Sequence, residues 1–206
     1  METTPRPASP SVVRPADLWP AIATLGPKNG SGWSAPMIVN GISQFERRDA
    51  FIERFGFAVP TELVIGRIKK FVGSRQLLEV GAGSGLWARL LSDVGVSVTA
   101  VDCRSWRGPG TYYPVQRLSA VSALSCYRDH AALLLCWPDY ANPMAAKALK
   151  VFKGDRLVYI GEDEGGCTGD DRFHEMLRSW RRVARIAIPQ WPGIHDDVVL
   201  YEKRGC

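Results

Sequence analysis

The stretch "LLEVGAGSGLWARLL", residues 77–91, decides how the rest of the chain is read. A short apolar run closes at Val80, glycines follow at alternate positions (Gly81, Gly83, Gly85), and a helical pattern starts at Leu86. This is a strand, a tight turn and a helix. Glycine lets the backbone turn sharply and lets a ligand approach the main chain, and a helix start offers unpaired N–H groups. Two phosphate-binding loops fail on spacing. A dinucleotide fingerprint wants G-x-G-x-x-G, but its sixth position here is Leu86. A phosphate loop of the Gly-Lys-Ser/Thr kind fails too, because no such triplet follows. What remains is G-x-G-x-G with an acid, Glu79, two residues ahead of it.

Working outward, the next apolar run, "VSVTAVD", ends in Asp102, where a carboxylate is placed to accept hydrogen bonds from both hydroxyls of a ribose. Strands are predicted over 76–80, 97–101, 133–136, 156–160, 183–188 and 198–202, with helices over 86–91, 143–152 and 171–181. This alternation predicts an α/β fold with a mostly parallel sheet covered on both faces. Only "PQWPGIHDD" separates the last two strands; no crossover helix fits there, so they are expected to pair antiparallel. Upstream, "ISQFERRDAFIERFGF" reads as a helix with Phe45, Ile52 and Phe55 near one face. "TELVIGRIKKFV" reads as a second, capped by Thr61, with Leu63, Ile65, Ile68 and Val72 as its apolar positions. Seven of the fourteen prolines lie in the first 36 residues. Residues 1–36 are therefore expected to be an extended Pro/Gly-rich arm, packing through Trp19 and Trp33 or free, and 37–206 a single domain with lid helices over about 42–72.

Glu79, the glycine loop and Asp102 together resemble the first two motifs of class I S-adenosylmethionine-dependent methyltransferases, closely over residues 77–103 and more loosely in strand order beyond. The resemblance implies a Rossmann-like three-layer sandwich whose seven-stranded, mostly parallel sheet has its last strand antiparallel. It implies S-adenosylmethionine as cofactor, with Gly81, Ala82, Gly83 and Gly85 lining it, Glu79 helping to hold its amino-acid end, Asp102 binding its ribose, and Cys103 also among the cofactor-binding residues. The pairing of "CWP" with "YIGE…GGCTGDD" also resembles a small uncharacterised microbial group of methyltransferase-like proteins.

A second stretch, "LLLCWPDYANP" (133–143), reads two ways: a buried strand stopped by a turn, or a strand delivering side chains to a site. The resemblance implies that this strand ends beside the transferred methyl group. It is similar to the Asp/Asn/Ser-Pro-Pro-aromatic loop of amino-methylating enzymes, with Trp137 and Asp139 as departures. Asp139 is then a general base or an amine anchor, and Trp137 or Tyr140 a ring facing a sulfonium; the other reading makes Asp139 a helix-starting turn residue. Glu162 leaves the fifth strand on the same sheet edge and is the second candidate acid or base. The catalytic candidates are thus Asp139, Glu162 and Tyr140, with Trp137 assigned to the cofactor. "TGDD" reads as a helix cap rather than a metal set of Cys167, Asp170 and His174, and no metal is expected. His195 either orients substrate or bonds Asp196 or Asp197 at the surface. Phe57 in "FGFAVP" either covers the pocket or packs a lid helix.

Composition narrows the classes. At 206 residues the chain suits one well-buried domain. Five widely spaced cysteines, without a CxxC pair, argue against a disulfide framework or structural zinc. The apolar run 131–137 is too short to span a bilayer and "METTPRPASPSVVRP" has no apolar signal core, so a cytoplasmic protein without membrane contact is expected. The net charge of +5 permits an anionic partner without demanding one. "LRSWRRVAR" reads first as a helix C-terminus and solvated edge, and second as a nucleic-acid surface. The expected function is S-adenosylmethionine-dependent methyl transfer to a small-molecule acceptor bearing an amine or hydroxyl. The alternatives are an RNA- or protein-modifying methyltransferase and a non-catalytic S-adenosylmethionine-binding partner protein.

Overall fold

The computed structural model describes residues 18–27 and 37–204. Its centre is a seven-stranded sheet in the order β5-β4-β3-β6-β7-β9-β8. The strands are β3 (Leu77–Val80), β4 (Val98–Asp102), β5 (Val115–Arg117), β6 (Ala132–Cys136), β7 (Arg156–Gly161), β8 (Trp180–Ala187) and β9 (Asp197–Lys203). β3 pairs in parallel with β4 on one side and β6 on the other, and β6 pairs in parallel with β7. β9 runs antiparallel to both β7 and β8, inserted between them. The sheet is thus mostly parallel with its last strand reversed, as expected. The strand candidates did not include β5, whose three residues are only partly covered and carry no alternating pattern.

Alternating side chains divide the core into two layers. On one face Leu77, Leu134, Val158, Ile160 and Leu200 meet the helices α1 (Leu18–Leu25), α2 (Gln44–Phe55), α3 (Glu62–Val72) and α4 (Leu86–Asp93). On the other, Leu78, Leu133, Leu135, Tyr159 and Val199 meet α5 (Ala120–Cys126), α6 (Met144–Val151) and α7 (Asp171–Leu177). A two-residue hairpin, β1 (Ile38–Val39) with β2 (Ile42–Ser43), precedes α2. The unbroken apolar run at Leu133–Leu135 follows from this burial on both faces.

Several local expectations change. Residues 18–25 are helical, not extended: Pro20 sits in the first turn, where a missing N–H breaks no helical bond, and Leu18 and Ile22 enter the core. Trp33 and the rest of the expected arm lie outside the described residues. In α2 the buried rings are Phe51 and Phe55, while Phe45 is half-exposed. In α3 Thr61 caps as expected, its hydroxyl accepting from the Val64 amide at 3.2 Å, but Val64 is buried and Leu63 points to solvent. α7 ends at Leu177 and β8 begins at Trp180, so Arg181 and Arg185 are strand residues. Among the described residues, no helix is long and apolar enough to cross a membrane.

Candidate functional site

A cleft of about 1050 Å³ opens at the carboxyl ends of β3, β4 and β6, at the upper end of the ~300–1,000 Å³ range of small-ligand pockets. Open α/β sheets bind ligands at this edge. The glycine loop forms its floor. Gly83 has a φ of 52°, and a Cβ there would press on the Trp106 ring at 3.3 Å. Gly85, φ 73°, starts α4, where a Cβ would meet Tyr113 Cβ at 3.0 Å. Both positions therefore exclude side chains by conformation as well as space. Gly85 does not itself line the cleft; it underlies the loop.

Asp102, at the end of β4, closes one side. Its Oδ2 accepts the Gly83 amide at 3.0 Å and its Oδ1 the Arg104 amide at 2.9 Å. A carboxylate offers about four acceptor sites, so capacity remains toward the cleft. Glu79 lies on the β3 side at 1% exposure, and its Oε2 has no hydrogen-bond partner among the described residues. Burial raises its carboxyl to about 8; the Ala88 backbone opposes that shift and the Asp102 charge adds to it. Such an acid is neutral when alone and ready to ionise beside a cation.

The β6 edge supplies the opposite wall. Cys136 lines the cleft, its thiol pushed well up by burial and then by the acids Glu79 and Asp196. Trp137 adopts a left-handed backbone, φ 48°, with its amide donating to the Ile160 carbonyl at 2.8 Å. Its indole N–H donates to Asp196 Oδ2 at 2.8 Å. Phe57, from the link between α2 and α3, stacks on that indole with centroids 5.0 Å apart and planes 12° from parallel. Asp139 stands at the rim, ion-paired through Oδ2 with Arg104 at 2.6 Å.

The sequence-predicted residues Glu79, Gly81, Ala82, Gly83, Asp102, Cys103, Trp137 and Asp139 share this cleft. Tyr140 and Glu162 are outside its lining. Tyr140 is 69% exposed. Glu162 is buried and accepts from the Cys167 amide (2.8 Å), the Cys167 thiol (2.9 Å) and the His195 amide (2.7 Å). Burial works to raise its carboxyl, but these donors, Cys167 foremost, and the His195 charge hold it below the usual range. His195 therefore joins Glu162. Asp170 caps α7, accepting from the Phe173 amide at 2.9 Å, and His174 bonds the Thr168 carbonyl at 2.8 Å. Three of the four arginines of the basic patch face acids: Arg178 meets Glu164, Arg181 meets Glu202, and Arg185 meets Asp163 and Asp197, while Arg182 is exposed.

Arg104 and Trp106 went unnoticed in the sequence, and Asp196 was weighed there only as a surface partner of His195, whereas it is buried and accepts from Trp137. The first two sit in a loop without periodicity, and only the position of β9 brings Asp196 under Trp137. The one available signal was an aromatic four residues after Asp102, in a Gly/Pro-rich loop.

No protein-family model matches the chain, and no curated protein matches it in sequence. Solved structures do. The chain is similar to the 1,6-didemethyltoxoflavin-N1-methyltransferase of Burkholderia thailandensis, with 16% identity and a TM-score of 0.52 over 83% of this chain and 95% of that one. It is also similar to the magnesium protoporphyrin IX methyltransferase of Synechocystis PCC 6803, with 8% identity and a TM-score of 0.52 over 81% of this chain and 100% of that one. At such identities the likeness is one of fold: the chain has the Rossmann-like sandwich of these methyltransferases.

Proposed function

We propose that the chain is an S-adenosylmethionine-dependent methyltransferase acting on a small-molecule acceptor that bears an amine or hydroxyl. The observation that carries this reading is the pair of acids flanking the glycine loop: Glu79, buried with an unsatisfied oxygen, and Asp102, braced by two amides with acceptor capacity to spare. The first suits an ammonium group and the second a pair of vicinal hydroxyls, which are the two polar ends of the cofactor. The Burkholderia structure holds S-adenosylhomocysteine with its heterocycle, and the Synechocystis structure holds S-adenosylmethionine.

In this reading Glu79 Oε2 accepts from the ammonium, and Asp102 holds the ribose. Trp137 and Phe57 shield the reacting end from water. When bound, the cofactor would supply an electrophilic methyl group on a sulfonium sulfur for transfer to the acceptor's lone pair. Asp139 Oδ1, left open by the Arg104 pair, accepts the acceptor's N–H or O–H and can take the released proton. Positioning supplies much of the rate, so no marked catalytic dyad is needed. A nucleic-acid substrate is the weaker reading because three of the four arginines in the basic patch, Arg178, Arg181 and Arg185, are already paired with acids.

Calorimetric titration of S-adenosylmethionine and S-adenosylhomocysteine into wild type and Asp102→Ala tests the reading. Micromolar binding is expected, weakened on the order of 100-fold in the variant as charge-assisted bonds are lost. No binding of either ligand at millimolar concentration overturns it.

A further inference from the structure

Asp196 is a buried acid that the proposed chemistry does not use. It sits in the loop between β8 and β9, near Trp191, which packs edge-on against Phe51 at 5.6 Å. The residue is 1% exposed, its backbone carbonyl accepts from the Gln190 amide group at 2.9 Å, and Oδ1 has no hydrogen-bond partner among the described residues. A buried carboxyl left half-satisfied is costly and calls for a reason. Its one side-chain bond goes to Trp137, a bulky residue in left-handed conformation at the cleft wall. Strained residues of this kind persist where surroundings over-determine them, and they cluster at ligand sites.

The charges around Asp196 are mostly of its own sign. Glu162 follows β7 and Asp197 starts β9, and both act to raise its carboxyl. Across the Cys136 thiol of β6, which feels both acids, stands Glu79 of β3. The basic side chains on neighbouring elements face other acids: Arg185 of β8 bonds Asp197 and Asp163, and His195 Nδ1 lies 3.6 Å from Glu162.

We propose that Asp196 is a positioning residue for Trp137, and that its carboxylate, set behind the cleft wall, makes the cleft prefer a cationic ligand over a neutral one of the same shape. The inference rests on the cofactor reading above, in which the donor is a sulfonium and its product a neutral thioether. Held up to about 7 by burial, against the pull of the Trp137 bond, the carboxyl changes charge within the ordinary working range. The preference therefore grows as pH rises.

The test measures Kd for S-adenosylmethionine and S-adenosylhomocysteine with the full chain between about pH 6 and about pH 8.5, as wild type, Asp196→Asn and Asp196→Ala. Both ligands carry the same amino-acid end, so their ratio largely cancels titration of that end and of Glu79 against it. In wild type the ratio is expected to move toward S-adenosylmethionine by roughly fivefold across the range. Asparagine keeps an acceptor for the indole but no charge: its ratio is expected to stay flat, with S-adenosylhomocysteine affinity within about twofold of wild type. Alanine removes both and is expected to weaken both ligands and alter the near-ultraviolet circular dichroism of the tryptophans. A wild-type ratio that ignores pH, or an asparagine ratio that follows wild type, overturns the proposal. A merely structural Asp196 would lower the alanine variant's Tm and leave the ratio unmoved. If wild type binds neither ligand, the cofactor reading fails along with it.

Discussion

Glu79 and Glu162 are the same residue type, both buried (1% and 6% exposed) at the carboxyl edge of one sheet, yet their carboxyls shift in opposite directions. Around Glu162 the chain supplies two amides and a thiol, and the acid ties the loop after β7 to the loop before β9. Around Glu79 an oxygen is left open on a cleft, and desolvation wins. A buried acid whose donors come from its own chain is scaffold. One that lines a cleft and lacks a donor is the candidate for a ligand. The contrast separates site from support more sharply than residue type or sheet position does.

The largest expected effect is on the scaffold acid. Glu162→Ala strips the acceptor from three part-buried donors and is expected to cost about 3 kcal/mol in denaturant unfolding. Because its folded carboxyl lies below the ordinary range, its contribution is full above the unfolded pKa and is lost as pH falls through the folded value. A loss under about 1 kcal/mol would remove the distinction drawn here.

Glu79 has the opposite sign. Its neutral form is the one the fold favours, so its contribution is full below about 4.5 and is lost as pH rises toward about 8. Glu79→Gln is expected to flatten that decline, stabilising the ligand-free protein by about 2 kcal/mol near the upper end. The same substitution should weaken S-adenosylmethionine binding. A stability curve identical to wild type would mean that Glu79 is already ionised and paired.

The smallest effect sharpens the comparison at the rim. Arg104 and Asp139 are 73% and 51% exposed in their side chains, so Arg104→Ala is expected to change stability by less than about 0.5 kcal/mol. A loss approaching that of Glu162→Ala would place this pair among the supports rather than at the mouth of the cleft.

The glycine-loop side of the cleft was legible in the sequence because its signals are local. Glycine spacing, Glu79 and Asp102 fall within 24 residues, and the conformations they demand are short-range. Thr61 as a cap was legible for the same reason. The helix at 18–25 was hidden by proline composition, since the rule that tolerates Pro20 depends on where the helix starts. The face of α3 was misread by one position because Leu63 and Val64 are equally apolar and only the packing chooses between them. Glu162 looked like a catalytic acid because its position on the sheet edge was readable, while its donors lie 5 and 33 residues away. Asp196 read locally as a surface partner of His195; its burial is set by the reversal of β9, which no local signal shows.

That reversal has a bearing on how the molecule is made. β8 leaves the ribosome before β9, yet β9 is the strand that joins it to β7. Without β9, β7 has an unpaired edge and β8 has no neighbour, so closure of this side of the sheet waits for β9. The loop carrying Asp196 arrives with it and brings the prop beneath Trp137. A nascent chain can thus assemble the glycine loop, Glu79 and Asp102 from parallel pairings already translated, while the opposite wall waits for this long-range closure. Pairings between strands distant in sequence form slowly and leave an edge exposed until they close, so it is β9 that turns β7 from an edge strand into an interior one.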